Sequence, residues 1–125
     1  MERHILAADH IHPAVRDQVA QHHRELVDEV RAAVAAHAVV VVGMAQNPFP
    51  RKVRALLKEK SIPFHYLEYG SYFSRWRDRT AIKMFTGWPT FPMVFVNGVL
   101  VGGFDDTKRL VESGELEKLI AAPRT

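Results

Sequence analysis

The chain has 125 residues, 47% of them hydrophobic, which suits one domain with a normal buried core and falls short of two. Its 17 basic and 14 acidic residues are interspersed and leave a formal charge of +3, so the surface is mixed rather than a dedicated polyanion-binding face. It contains no cysteine, which excludes disulfides, thiolate metal sites and any mechanism whose nucleophile is a protein thiol.

At the start, MERHILAADHIHP carries no apolar run behind its basic residues. No later segment approaches the ~20 apolar residues needed to span a bilayer. The expectation is a soluble, cytoplasmic protein without membrane contact. Residues 14–37 place Val15, Val19, His22, Leu26, Val30 and Ala33 or Val34 three to four apart, one face of a single amphipathic helix opened by Pro13. The run AVVVV at 38–42 is β-branched without alternation, the pattern of a central strand covered on both faces. Asn47 before Pro48 is a good helix opening, and Val53, Leu56 and Leu57 give the helix to about Lys60 its buried stripe.

SIPFHYLEYG, 61–70, alternates Phe64, Tyr66 and Glu68 with His65 and Leu67 as a second strand. Between Ser71 and Thr86, Tyr72, Arg75, Trp76, Arg79, Ile82 and Lys83 recur at helical spacing, closed by Gly87. FPMVFVNGVLVGG, 91–103, reads as a hairpin turning at Asn97 and Gly98. The last stretch, 105–120, is an acidic helix start, a break near Gly114 and a short turn packed by Leu116, Leu119 and Ile120. The order helix, strand, helix, strand, helix, strand, strand, helix predicts an α/β fold: a mixed four-stranded sheet with helices on both faces, plus an N-terminal helix.

That order, with WPTFPMVFVNGVLVGGFDD from Trp88 to Asp106, resembles the glutaredoxin family of the thioredoxin-like fold. Trp88, Pro89, Thr90, Pro92, Asn97, Gly98, Gly102, Gly103 and Asp105 fall in step with the monothiol kind, and Arg79 and Lys83 sit where that kind has an Arg and a Lys. The resemblance covers 38–121 as the domain, with 1–37 as an N-terminal segment and helix packed on it. It implies a cis Pro92, and glutathione, or a glutathionyl or cysteinyl peptide, pairing with the backbone of Phe91 as an added strand. Gly103, Asp105 and Asp106 would face the γ-glutamyl amine and carboxylate, and Arg79 the glycine carboxylate. Met44, Phe49 and Met93 would wall the groove.

The same alignment sets Asn47 in the place of the nucleophilic cysteine and Pro50 in that of the second position, so no catalytic residue is expected. An asparagine amide can only donate and accept hydrogen bonds where a thiolate would attack disulfides. A shared iron–sulfur cluster, which needs a protein thiolate from each subunit, is not expected either. Asn47 also reads simply as a helix cap, and Arg79, Gly103 and Asp105 as residues serving a helix surface, a turn and an N-cap. No histidine spacing puts three metal ligands on one face. The interleaved aromatic and basic residues of YFSRWRDR, 72–79, read as a solvated amphipathic face rather than a nucleic-acid platform.

Three functions follow from the resemblance and the missing sulfur. The first is a redox-inactive binding protein with a partly retained glutathione groove. The second is a scaffold or subunit whose former groove, at Met44, Phe49, Met93 and Phe104, is a protein interface. The third is a transferase or reductase in which bound glutathione supplies the thiol.

Overall fold

The computed structural model describes residues 3–122. A short 3-10 turn at Ala8–His10 precedes α1 (Pro13–Gln21) and α2 (Arg24–Ala36). Next come β1 (Val39–Gly43), α3 (Pro48–Glu59), β2 (His65–Glu68) and α4 (Trp76–Thr86). A hairpin of β3 (Met93–Val96) and β4 (Val99–Gly102) leads to α5 (Phe104–Ser113) and α6 (Glu115–Ala121). The strands form one mixed sheet in the order β2-β1-β3-β4. β1 runs parallel to β2 and antiparallel to β3, and β3 pairs antiparallel with β4.

The uninterrupted valines of β1 are explained by burial on both sides. Val40 and Val42 join Val30 and Ala33 of α2, Ile82 of α4, Met93 and Phe95 in one core. Val39 and Val41 join Val53 and Leu57 of α3, Val94, Val96 and Leu116 in the other. Side chains alternate across a strand, so a central strand with helices on both faces must be apolar throughout. Each fully buried valine contributes about 1.5–3 kcal/mol relative to exposure. This is the mixed four-stranded architecture that the sequence predicts, and the hairpin turns at Asn97 and Gly98 as expected. The Asn97 amide also donates to the carbonyls of Leu119, 2.7 Å away, and Ile120, 2.9 Å away, tying the turn to the end of α6.

The single helix expected over 14–37 is two. The chain breaks at His22–His23, where His23 takes a left-handed conformation with φ 47°. Its Nδ1 lies 3.1 Å from the Asp78 carboxylate of α4, which also accepts from Arg75 at 2.7 Å. Only α2 packs on the sheet: Val15 and Val19 of α1 remain 41% and 54% exposed. The helix expected from Ser71 begins late, because Ser71–Ser74 form a tight turn closed by an isolated bridge and Arg75 is left-handed. Among the described residues no helix is long and apolar enough to cross a membrane.

Gly43 is where strand, helix and loop meet. A Cβ there would stand 2.7 Å from Pro50 Cβ and 2.9 Å from the Tyr66 ring. Gly43→Ala therefore overpacks the junction and lowers the unfolding free energy by about 1–3 kcal/mol, measured by denaturant titration. A second expectation concerns alkaline pH. Burial, then the hydrogen bond to Glu68, push the Tyr66 phenol up to about 12 from its ordinary 10.0. Burial and the hydrogen bond it donates to Glu29 likewise raise that of Tyr69. A folded-state pKa above the unfolded one gives stability that is fully present below about pH 10 and is lost as pH rises through about 12. Denaturant titrations across that window will show stability falling in the wild type and falling less in Tyr66→Phe.

Candidate functional site

The register that pairs Val42 with Met93 sets the exit of β1 beside the entry to β3. The loop leaving β1 is pinned at its base: the Tyr69 N–H donates to the Gly43 carbonyl at 2.9 Å, and the Ala45 N–H to Gly70 at 2.7 Å. It then reaches Asn47, the N-cap of α3, whose Oδ1 accepts from the Phe49 N–H at 3.0 Å with Pro48 in the first turn. This is the helix opening that the sequence predicts, and it needs no sulfur. The other end of the same amide crosses to the neighbouring loop, where Nδ2 donates to the Phe91 carbonyl at 3.3 Å. The Phe91–Pro92 peptide bond is cis, as the resemblance implies. The Phe91 N–H has no hydrogen-bond partner among the described residues.

The facing wall comes from the start of α5. Gly102 has φ +112°, and a Cβ on it would stand 2.5 Å from the Asp106 carboxylate, so the close turn requires glycine. Asp106 folds back over this turn: Oδ2 accepts from the Gly103 N–H at 3.1 Å, and Oδ1 from Arg109 at 3.2 Å. Both oxygens of Asp106 thus have partners within α5 and its cap, while Asp105 is exposed. The Gly103 carbonyl accepts from the Thr107 N–H at 3.0 Å, the first backbone bond into the helix. The N–H groups of Phe104, Asp105 and Asp106 precede that bond, and the first turn carries the positive end of the helix dipole.

Between these walls lies an open groove of about 690 Å³. It brings together Met44, Asn47, Phe49, Phe91, Pro92, Gly103, Asp105 and Asp106 of the residues singled out in the sequence. Three others are placed elsewhere. Pro50 is buried against Gly43 behind the helix opening. Met93 is fully buried in the α2–α4 core, its sulfur 3.2 Å from the Thr86 hydroxyl, and does not line the groove. Arg79, only 7% exposed, donates through Nη1 to the carbonyls of Tyr69 and Ser74, holding the turn that follows β2.

The cation that does line the groove is Lys83, one helical turn along α4 from Arg79. Its Nζ stands 5.7 Å from the centre of the Phe91 ring. Spacing places both basic residues on one helix face and cannot separate them; the separating signal is which of them meets the loop carbonyls. Tyr72, Thr90 and Phe104 also line the groove, and so does Trp88, whose Nε1 is buried without a hydrogen-bond partner among the described residues. Phe49 and Phe104 sit with ring centres 6.1 Å apart, and Lys52 Nζ lies 4.9 Å over the Phe49 ring. Among the described residues no group of three or more His, Asp or Glu side chains gathers to hold a metal ion. With no cysteine in the chain, the groove offers hydrogen bonds, charge and apolar surface, and no nucleophilic sulfur.

Comparison with known proteins places this geometry. The Glutaredoxin family model matches residues 39–101. A glutaredoxin-like protein of Dictyostelium discoideum is 50% identical over 98 residues, covering 78% of this chain and 80% of that one. The crystal structure of a wheat glutaredoxin superposes with a TM-score of 0.68 at 30% identity, over 78% of this chain and 94% of that one. A buckwheat glutaredoxin–glutathione complex superposes with a TM-score of 0.69 at 18% identity, over 81% of this chain and 92% of that one, a likeness of fold. The chain belongs to the glutaredoxin family, as a member without cysteine.

Proposed function

We propose that this chain holds glutathione, or a glutathionyl or cysteinyl peptide, in its groove without exchanging electrons with it. The observation that carries the reading is the pair of hydrogen bonds made by the Asn47 amide, one accepted from the Phe49 N–H and one donated to the Phe91 carbonyl. An uncharged group there keeps the helix start and the neighbouring loop together where family members have a thiol, and the groove beside it stays open. Support comes also from the fold, which holds glutathione in the buckwheat protein. Glutathione carries two carboxylates and one ammonium. Lys83 from α4 and the start of α5 reach the groove from elements packed on opposite faces of the sheet, which suits a ligand with an anionic group at each end.

In this reading the Phe91 N–H pairs with the ligand backbone, Lys83 meets the glycine carboxylate, and Asp105 meets the ammonium beside the free N–H groups of α5. Asp106 and Gly103 shape that helix start. Arg79 steadies the turn after β2. The Phe91 carbonyl already accepts from Asn47, so a ligand N–H shares that acceptor with the amide, and its affinity is modest. An iron–sulfur cluster has no place in the reading, since it would need a protein thiolate. A cytoplasmic location belongs to it.

Calorimetric titration of reduced glutathione into the purified protein tests it. The expected result is binding in the micromolar to low millimolar range, weakened by salt and reduced about five- to tenfold in Lys83→Ala and Asp105→Ala. Arg79→Ala, which leaves the carbonyls of Tyr69 and Ser74 without their donor, will instead lower stability by about 1–3 kcal/mol. Absence of binding at millimolar glutathione would overturn the reading and leave the groove as a protein interface.

A further inference from the structure

Beside position 47 the groove lining is apolar and aromatic. Met44 lines it, only 6% exposed, and Phe49 lines it while remaining 46% exposed on the first turn of α3. Phe104 stands 6.1 Å from Phe49, centre to centre, and Tyr72, 57% exposed, belongs to the same lining. An aromatic ring left half in water on the wall of a groove is apolar surface that a ligand gains by covering. Lys52, with Nζ 4.9 Å from the Phe49 ring and 6.0 Å from the Phe104 ring, touches this pair but leaves Phe49 open.

The atom of a bound thiol peptide that comes closest to position 47 is its sulfur, because position 47 is where a family nucleophile would join it. Here that sulfur meets an uncharged amide whose oxygen accepts from the Phe49 N–H and whose nitrogen donates to the Phe91 carbonyl. It finds no thiolate to attack and no thiol to form a disulfide with. A free thiol therefore gains at most a weak S–H hydrogen bond to the amide that a thioether lacks, whereas an apolar group carried on the sulfur has Phe49, Phe104, Met44 and Tyr72 of the groove lining to cover. We propose that the preferred ligand class is an S-substituted glutathione, a thioether conjugate whose substituent is aliphatic or aromatic, with Phe49 and Phe104 forming the subsite for that substituent. The inference rests on the reading that the groove holds the glutathione backbone, and adds to it the chemistry at sulfur. No covalent step is involved.

Titration of glutathione, S-methylglutathione and S-hexylglutathione into the full chain decides it. The expected order is S-hexyl tightest, by about tenfold over glutathione, the gain from burying about two methylene groups, with S-methyl between. In Phe49→Ala the ratio of S-hexyl to glutathione affinity falls towards one, whatever the substitution does to glutathione itself. Equal or weaker binding of S-hexylglutathione by the wild type, with glutathione still bound, would overturn the inference and leave the groove reading standing. Failure of all three to bind would overturn both. A preference for S-hexyl that survives in both Phe49→Ala and Phe104→Ala would overturn the assigned subsite. The wild-type comparison needs no variant, so poor folding of either substitution does not blunt it.

Discussion

Burial of both faces of the β1–β3 pair is the constraint from which the site follows. Val39 and Val41 must face one core and Val40 and Val42 the other, which fixes the strand at the centre of the sheet. The antiparallel register then aligns Val42 with Met93 and leaves no choice about which loops meet at that edge. The segment leaving β1 and the segment entering β3 emerge side by side, carrying Asn47 on one and Phe91–Pro92 on the other. A one-residue slip would turn each valine to the wrong face, so the apolar packing that stabilises the sheet also holds the groove's two edges in position.

The amide at position 47 joins the start of α3 to the loop that carries Phe91. A helix opening needs an acceptor for its first N–H groups, and asparagine supplies one while its nitrogen reaches the adjacent loop. A cysteine at a helix N-terminus has its thiolate favoured by the dipole; an asparagine has no ionisable group for that field to act on. The field remains, as does the one at the start of α5, with no thiol for either to ionise.

The parts of the fold that were legible in the sequence are those where one physical rule acts alone. The valine run of β1, the Asn97–Gly98 turn and the Asn47–Pro48 helix opening each declare themselves locally and stand as predicted. The break at His22–His23 was not legible, because neither residue is a customary helix breaker and the apolar spacing continues through it; the Asp78 carboxylate that His23 meets lies 55 positions along the chain. The Ser71–Arg75 turn was hidden for a similar reason, its aromatic and basic residues recurring at helical spacing although Phe73 is 90% exposed. In the site, spacing could not tell Arg79 from Lys83, since tertiary contact with two loop carbonyls decides which one is withdrawn. Nor could it show that Asp106 spends its carboxylate on Gly103 and Arg109, or that Met93 belongs to the core.

In the proposed function a glutathione-binding framework stands complete around an amide set where the family has a thiol. Its most direct test is Asn47→Cys, incubated with glutathione disulfide and read by intact mass, with the cysteine-free wild type as control. Attack by the new thiolate would join the protein sulfur to one glutathione and release the other as its thiolate. One glutathionyl adduct per chain is expected, formed faster than on a free cysteine at the same pH, and none on the wild type. A folded Asn47→Cys protein that forms no adduct, or forms it no faster than free cysteine, would contradict the claim that the framework is intact.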